Sequence, residues 1–327
     1  MAELLLACVW EVFMEAYSGF ARVYDLFMDN VPYREWCDFI DTILKEYGIQ
    51  ENILLDLGCG TGTMTRIMSE MGYDMIGVDQ SPEMLDIARE LEYEAMDMAW
   101  DETEESAEAL SDTAAMEADE AEPAAIDESI LEGLEEEYYD CAYEGQKSPT
   151  IYLWQDMREL ELYGTIGACY CSCNSINYIL NEEDLKKVFS LVNNYLFPGG
   201  LFIFDINTPY KYEKLMGDNT IAENRPQGSF IWENSYDPET GINIYDLTLY
   251  ISERALEGEQ AEEEEDLPYY RFQETHIQKS YSLELIQSLL EEAGMEFVAA
   301  YDNYSRDPVR RDSEIITILA REKGKKA

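Results

Sequence analysis

Residues 53–62 constrain this chain more than any other stretch. Ile53, Leu54, Leu55, Asp56 and Leu57 run into glycines at alternate positions, Gly58, Gly60 and Gly62, and Thr63-Met64-Thr65-Arg66-Ile67-Met68 follows in a helical pattern. A short apolar run, a tight glycine turn and a helix, in that order, open a parallel α/β sheet. The glycines permit positive φ and let a ligand come against the main chain, while the helix N-terminus offers N–H groups to a negative charge.

The next element sharpens the ligand. Asp74-Met75-Ile76-Gly77-Val78-Asp79 is a second short strand ending in an acid, and Gln80-Ser81-Pro82 leads into a helix, with Ser81 as N-cap and Pro82 at the first helical position. The result is a β-α-β-α unit that places ligand at the carboxyl ends of its strands. A carboxylate at the end of the second strand accepts from ribose hydroxyls in nucleotide-binding α/β folds, and Asp79 stands 17 positions after Gly62. Spacing alone admits a dinucleotide. The glycine order is G-x-G-x-G, however, with Thr63 where the third glycine of G-x-G-x-x-G belongs.

Composition excludes several classes. The formal net charge of −48 repels nucleic-acid phosphates and anionic membranes. Residues 92–147 hold 21 of the acids and one basic residue, Lys147, so 95–148 reads as a solvated acidic insertion. The apolar run at Leu4-Leu5-Leu6-Ala7-Cys8-Val9-Trp10 lacks the basic flank of a signal peptide, and no stretch is long enough to span a bilayer. Seven cysteines without regular spacing suit free thiols in the cytoplasm. Cys169, Cys171 and Cys173 lack C-x-x-C spacing, and the single histidine, His276, is remote in sequence, so no metal is expected.

Along the rest of the chain, 1–50 reads as a helical, aromatic-rich lid segment in which Tyr17 and Tyr24 are candidates to face a pocket. Strands are expected at 150–154, 166–171 and 201–206, with a helix over 182–196 and a turn at Pro198-Gly199-Gly200. Residues 207–281 switch to alternating patterns and predict three antiparallel strands, at 230–236, 242–252 and 269–281. A helix over 282–293 and strands at 297–304 and 314–321 complete a core made of 51–206 and 282–322.

With these pieces in order, the chain resembles class I S-adenosylmethionine (SAM) dependent methyltransferases. Leu54 to Gly62 is similar to the family's first motif, Ile76 to Leu85 to its second, Gln155-Asp156-Met157 to its adenine-side loop, and Leu196-Phe197-Pro198-Gly199-Gly200 to the turn before strand five. More narrowly, it resembles a bacterial small-molecule-type group with an inserted antiparallel sheet. Val23-Tyr24-Asp25, Asn174-Ser175-Ile176-Asn177-Tyr178, Phe204 to Lys211, Trp232-Glu233-Asn234 and His276 with Tyr281-Ser282 carry that resemblance. It departs at Asn174, where the group commonly has an acid.

The resemblance implies a Rossmann-like seven-stranded sheet, mostly parallel with its last strand antiparallel, and SAM as cofactor. It implies that Gly58, Cys59, Gly60 and Gly62 hold the methionine end, Asp56 orients it, and Asp79 binds the ribose. Gln80 and Met84 would flank the ribose and adenine, Asp156 and Met157 would meet the adenine edge, and carbonyls near Cys171 and Ser172 would face the ammonium. His276, Tyr178, Tyr17 and Asn177 are the acceptor-side candidates, His276 as a base. The expected partner is a small-molecule methyl acceptor on N or O, with no nucleic acid and no membrane; the sequence leaves the oligomeric state open. Rival readings are an aminopropyltransferase, a nicotinamide dehydrogenase, or a non-enzymatic scaffold whose acidic insertion binds a basic partner.

Overall fold

The computed structural model describes residues 20–95, 149–256 and 268–325. Expectations for Tyr17 and for the acidic insertion beyond residue 95 lie outside the described residues. The chain divides into two units, 1–88 with 150–327, and 89–149; of the second, helical residues 89–95 and Pro149 are described.

The larger unit is built on a seven-stranded sheet. Its parallel part comprises β1 (Ile53–Leu57), β2 (Asp74–Asp79), β3 (Ile151–Trp154), β4 (Ile166–Cys171) and β5 (Leu196–Asn207). Two later strands, β10 (Met295–Asp302) and β11 (Ile315–Glu322), complete the order β10-β11-β5-β4-β1-β2-β3. β11 runs antiparallel to both β5 and β10, as the resemblance implies. β4 is buried along its whole length, which explains its unbroken small and apolar sequence. Cys169 and Cys171 face one layer, and Ala168 and Tyr170 the other.

Helices cover both faces. α1 (Tyr33–Glu46) lays Trp36, Ile40, Ile43 and Leu44 on the sheet with Met64 and Met68 of α2 (Thr63–Glu70), so part of the expected lid belongs to the core. A third helix, α3, begins at residue 82; Ser81 Oγ accepts from Met84 N–H at 3.2 Å, the N-cap expected from sequence. On the opposite face lie α4 (Glu182–Tyr195) and α5 (Leu283–Glu292). Asn181 caps α4 and Ser282 caps α5, and the acids Glu182, Glu183 and Asp184 complement the α4 dipole.

Two boundaries differ from the sequence reading. β5 begins at Leu196 and includes the expected turn at Pro198-Gly199-Gly200, because side chains of β11 supply the bonds an irregular ladder lacks. Gly199 N–H donates to Glu322 at 2.7 Å and its carbonyl accepts from Arg321 Nε at 2.9 Å. The inserted sheet has four strands where the sequence suggests three: β6 (Thr220–Arg225), β7 (Gly228–Asp237), β8 (Ile242–Ser252) and β9 (Tyr269–Lys279), in that order and all antiparallel. β6 is an exposed edge strand with little apolar alternation, so its sequence carries no strand signal. The inner face of this sheet packs Tyr245, Leu247, Leu249 and Ile251 against Val23 and Phe27 from the helical turns Phe20–Val23 and Tyr24–Phe27.

Candidate active site

The glycine loop is folded back onto β2. Gly58 and Cys59 N–H both donate to the Val78 carbonyl, at 2.7 and 3.0 Å. Asp79 then fixes the loop from the end of β2, accepting Gly60 N–H on Oδ2 and Ser81 N–H on Oδ1, each at 2.9 Å. Burial raises the Asp79 pKa, against the lowering effect of these backbone bonds.

All three loop glycines have positive φ, but for different reasons. A Cβ at Gly58 would lie 2.8 Å from Ser175 Oγ, and one at Gly62 2.6 Å from the Tyr152 hydroxyl; at Gly60 it would meet nothing within 4 Å. Gly60 therefore opens onto empty space, whereas Gly58 and Gly62 serve close packing. Gly60→Ala is expected to lower affinity for S-adenosylhomocysteine (SAH) about tenfold while costing about 1 kcal/mol of stability, the strain of a left-handed alanine. Gly62→Ala should cost more stability, about 2 kcal/mol or above, because Tyr152 must also move. Titration calorimetry and thermal unfolding of the pair separate the two effects.

The space over Gly60 belongs to a cavity of about 570 Å³, a size suited to small molecules. Gly58, Cys59, Gly60 and Thr61 line it with Asp56, Asp79, Gln80 and Met84; Asp156, Met157 and Arg158 join them from the loop after β3, and Ser172, Cys173 and Ser175 from the loop after β4. Tyr24, Tyr33, Tyr178, Thr275, His276 and Ile277 add aromatic and inserted-sheet surface to the same cavity. The described lining carries four carboxylates, on Asp56, Asp79, Asp156 and Asp184, against one guanidinium, Arg158.

Two of these acids differ in state. Asp56 is buried and accepts from Thr65 Oγ1 at 2.6 Å, and desolvation pushes its pKa up to about 7. Asp156 caps the turn Met157–Glu159 by accepting Arg158 N–H at 2.8 Å, and its oxygens also take the Arg158 guanidinium. Partial burial raises the Asp156 pKa, but the Arg158 bonds outweigh it and the net shift is downward.

His276 sits on β9 with both ring nitrogens engaged. Nδ1 lies 3.0 Å from the Tyr178 hydroxyl and Nε2 3.2 Å from Glu274 Oε2. Tyr178 also bonds the Tyr245 hydroxyl at 2.8 Å, and the Tyr245 ring stacks on the imidazole at 4.6 Å.

Three expected site residues, Gly62, Cys171 and Asn177, stand outside the cavity lining. Gly62 packs against Tyr152, and Cys171 is fully buried beneath the cavity's lining. The Ser172 carbonyl accepts from Ser175 Oγ at 2.9 Å. Asn177 also stands outside the lining, with no exposed surface, and ties together the points where the chain leaves and re-enters the core. It accepts Asn207 N–H at 2.9 Å and donates to the carbonyls of Lys279 at 2.8 Å and Asn207 at 3.3 Å. Asn177→Ala is thus expected to destabilise the fold by about 2–4 kcal/mol, leaving buried main-chain groups unsatisfied; urea unfolding measures it.

Tyr33, Arg158, Asp184, Glu274 and Tyr245 join the site without being among the candidates expected from sequence. For Glu274 a signal existed: residues two apart on a strand share a face, which places it beside His276. Asp25 belongs with them, accepting from Thr61 Oγ1 at 2.8 Å and so joining the N-terminal turns to the glycine loop.

A family model described as a methyltransferase domain matches residues 26–300. The chain belongs to the class I SAM-dependent methyltransferases. YqeM of Bacillus subtilis (strain 168), which bears the name of a candidate methyltransferase, is 26% identical over 281 residues, covering 86% of each chain. A SAM-dependent methyltransferase from Clostridium acetobutylicum ATCC 824 is 26% identical with a TM-score of 0.67, covering 95% of this chain and 100% of that one. The sugar N-methyltransferase KedS8 from Streptoalloteichus sp ATCC 53650 shares the fold, with a TM-score of 0.60, 15% identity and coverage of 92% and 93%.

The charge of the cavity fits the cofactor of this methyltransferase. SAM carries a net positive charge, a sulfonium and an ammonium against one carboxylate, which a lining of four carboxylates and one guanidinium favours, whereas the pyrophosphate of a dinucleotide would meet repulsion from the same acids. Among the described residues no helix is long and apolar enough to cross a membrane.

Proposed function

We propose that this methyltransferase transfers the methyl group of SAM to a nitrogen or oxygen of a small-molecule acceptor by in-line displacement. One observation carries the reading: a single cavity takes its lining both from the glycine loop with Asp79 and from Tyr178 and His276 beside the inserted sheet. Donor and acceptor thus meet in a space of about 570 Å³, which leaves room for a small acceptor once the donor is in place.

SAM supplies a methyl group already activated on sulfur, so the protein's task is orientation and exclusion of water. Asp79 accepts from the ribose hydroxyls, Gly58 and Gly60 present main chain to the methionine end, and Asp56 attracts its ammonium. Gln80 and Met84 flank the ribose and adenine, while Asp156 and the Met157 N–H meet the adenine edge. Residues 207–281 form the acceptor side, against which the turns Phe20–Val23 and Tyr24–Phe27 pack. The strongly acidic chain acts in the cytoplasm on neutral or cationic molecules and avoids nucleic acid.

The test is SAH formation from SAM with panels of small amines, alcohols and phenols, compared with basic peptides and RNA. Turnover confined to small protic molecules supports the reading. Turnover confined to peptide or RNA overturns it.

A further inference from the structure

The only histidine in the chain is built into a directional chain of hydrogen bonds with Tyr178, Glu274 and Tyr245, of which Tyr245 carries no sequence signal. We infer that Glu274 fixes His276 as the Nε2–H tautomer, so that Nδ1 takes the Tyr178 proton and Tyr178 becomes the group that meets the acceptor's N–H or O–H. This rests on the proposed methyl transfer and deepens it: the acceptor is a protic nucleophile, either an alcohol or phenol whose proton leaves as the methyl arrives, or an ammonium that must give up a proton before its nitrogen can attack.

The direction follows from the ends of the chain. Glu274 Oε1 accepts the main-chain N–H of Phe20 at 3.0 Å, and Oε2 faces His276 Nε2. With Glu274 as a carboxylate, which can only accept, Nε2 carries the hydrogen and Nδ1 presents its lone pair to the Tyr178 hydroxyl. Tyr178 donates to Nδ1 and in turn accepts from Tyr245, whose phenol burial holds protonated far above its ordinary range. The side chains of Glu274 and His276 are each only 1% exposed, so their arrangement is shielded from water. Tyr178 and His276 line the cavity, whereas Glu274 and Tyr245 stand behind them.

In the reaction the acceptor's electron pair forms the bond to the methyl carbon, and the carbon–sulfur pair leaves on sulfur. The acceptor's proton passes to the Tyr178 oxygen as the Tyr178 proton passes to His276 Nδ1. The imidazolium so formed is stabilised by the Glu274 carboxylate, at a distance where an ion pair in a buried site is strong. Tyr178 is the catalytic residue of this relay; His276 accepts through it, and Glu274 and Tyr245 are positioning residues.

A single histidine makes the test direct. In untagged protein labelled with nitrogen-15 histidine, at a pH where the ring is neutral, the expected spectrum is that of the Nε2–H tautomer. Glu274→Gln has one oxygen, which the Phe20 N–H claims, leaving the amide NH₂ to face Nε2. The ring is then expected to flip to the Nδ1–H tautomer, and kcat with an accepted alcohol, phenol or amine to fall by about tenfold or more at little-changed KM, which a glutamate serving packing alone would not produce. Tyr178→Phe should keep the Nε2–H form but move the Nδ1 resonance, because its hydrogen bond is gone. An Nδ1–H ring in the unaltered protein, or an unmoved Nδ1 resonance in Tyr178→Phe, overturns the relay even if Glu274→Gln fails to fold. Calorimetry with SAH on the same samples is independent: absence of binding to the unaltered protein refutes the reading of the cavity, while tautomers speak to the relay alone.

Discussion

Asp79→Ala is expected to weaken SAH binding about 100-fold in titration calorimetry. Two hydroxyl donors lose a charged acceptor; at roughly 1.5 kcal/mol for each such bond the loss is about 3 kcal/mol, which is ~100-fold in affinity. The substitution also releases Gly60 and Ser81 N–H, both now held by the carboxylate at 2.9 Å, so the loop that must lie against the ligand loses its anchor. Stability without ligand should change far less than affinity, because a partly desolvated carboxylate is itself costly, as its raised pKa records. A loss below roughly threefold would mean that the ribose does not reach Asp79.

The parts of this fold that were readable in advance share one property: their signal is local. The glycine loop, Ser81-Pro82, and the α1 stripe at Trp36, Ile40 and Leu44 each announce themselves within a few residues. β6 does not, because an exposed edge strand needs no apolar alternation, and the start of β5 does not, because Arg321 and Glu322 complete its ladder from more than a hundred residues away. The same rule divides the site. Asp79 follows from its place at a strand end, and it lies beside the glycines. Asn177 shows the opposite case: it stands next to Tyr178, which lines the cavity, yet its own side chain turns to Asn207 and Lys279. Neighbouring residues in a tight turn project in different directions, and only the distant partners decide which one faces the ligand. The state of His276 was equally out of reach, since Tyr178 and Tyr245 arrive from other elements.

Asp56→Asn is expected to make the protein without ligand more stable at pH 8 and to weaken its hold on SAM. The Asp56 pKa is about 7 in the folded protein, against about 3.9 in an unfolded chain. With the folded value raised, the group's stabilising contribution is complete below about pH 4 and is lost as pH climbs through 7. A shift of about three units corresponds to roughly 4 kcal/mol, an upper bound for the cost of carrying this charge unliganded. Asparagine keeps an acceptor for Thr65 Oγ1, now bonded to Oδ2 at 2.6 Å, and does not titrate. Urea unfolding should therefore show the variant ahead by about 2 kcal/mol at pH 8, with the advantage gone at pH 4. Asp205, also buried and raised to about 6, is common to both proteins and cancels in the difference. An equal difference at the two pH values would show that Asp56 does not titrate between them. The acid is a poor choice for folding alone, since it sits desolvated beside Asp79, whose charge raises its pKa further. A cationic ligand reverses that balance: an ammonium brought against Asp56 favours the ionised form, so binding near neutral pH should release protons in the unaltered protein and fewer in Asp56→Asn. Calorimetry in buffers of different ionisation enthalpy reads that difference directly, and it connects the instability of the empty site to the charge of the molecule the site is built to hold.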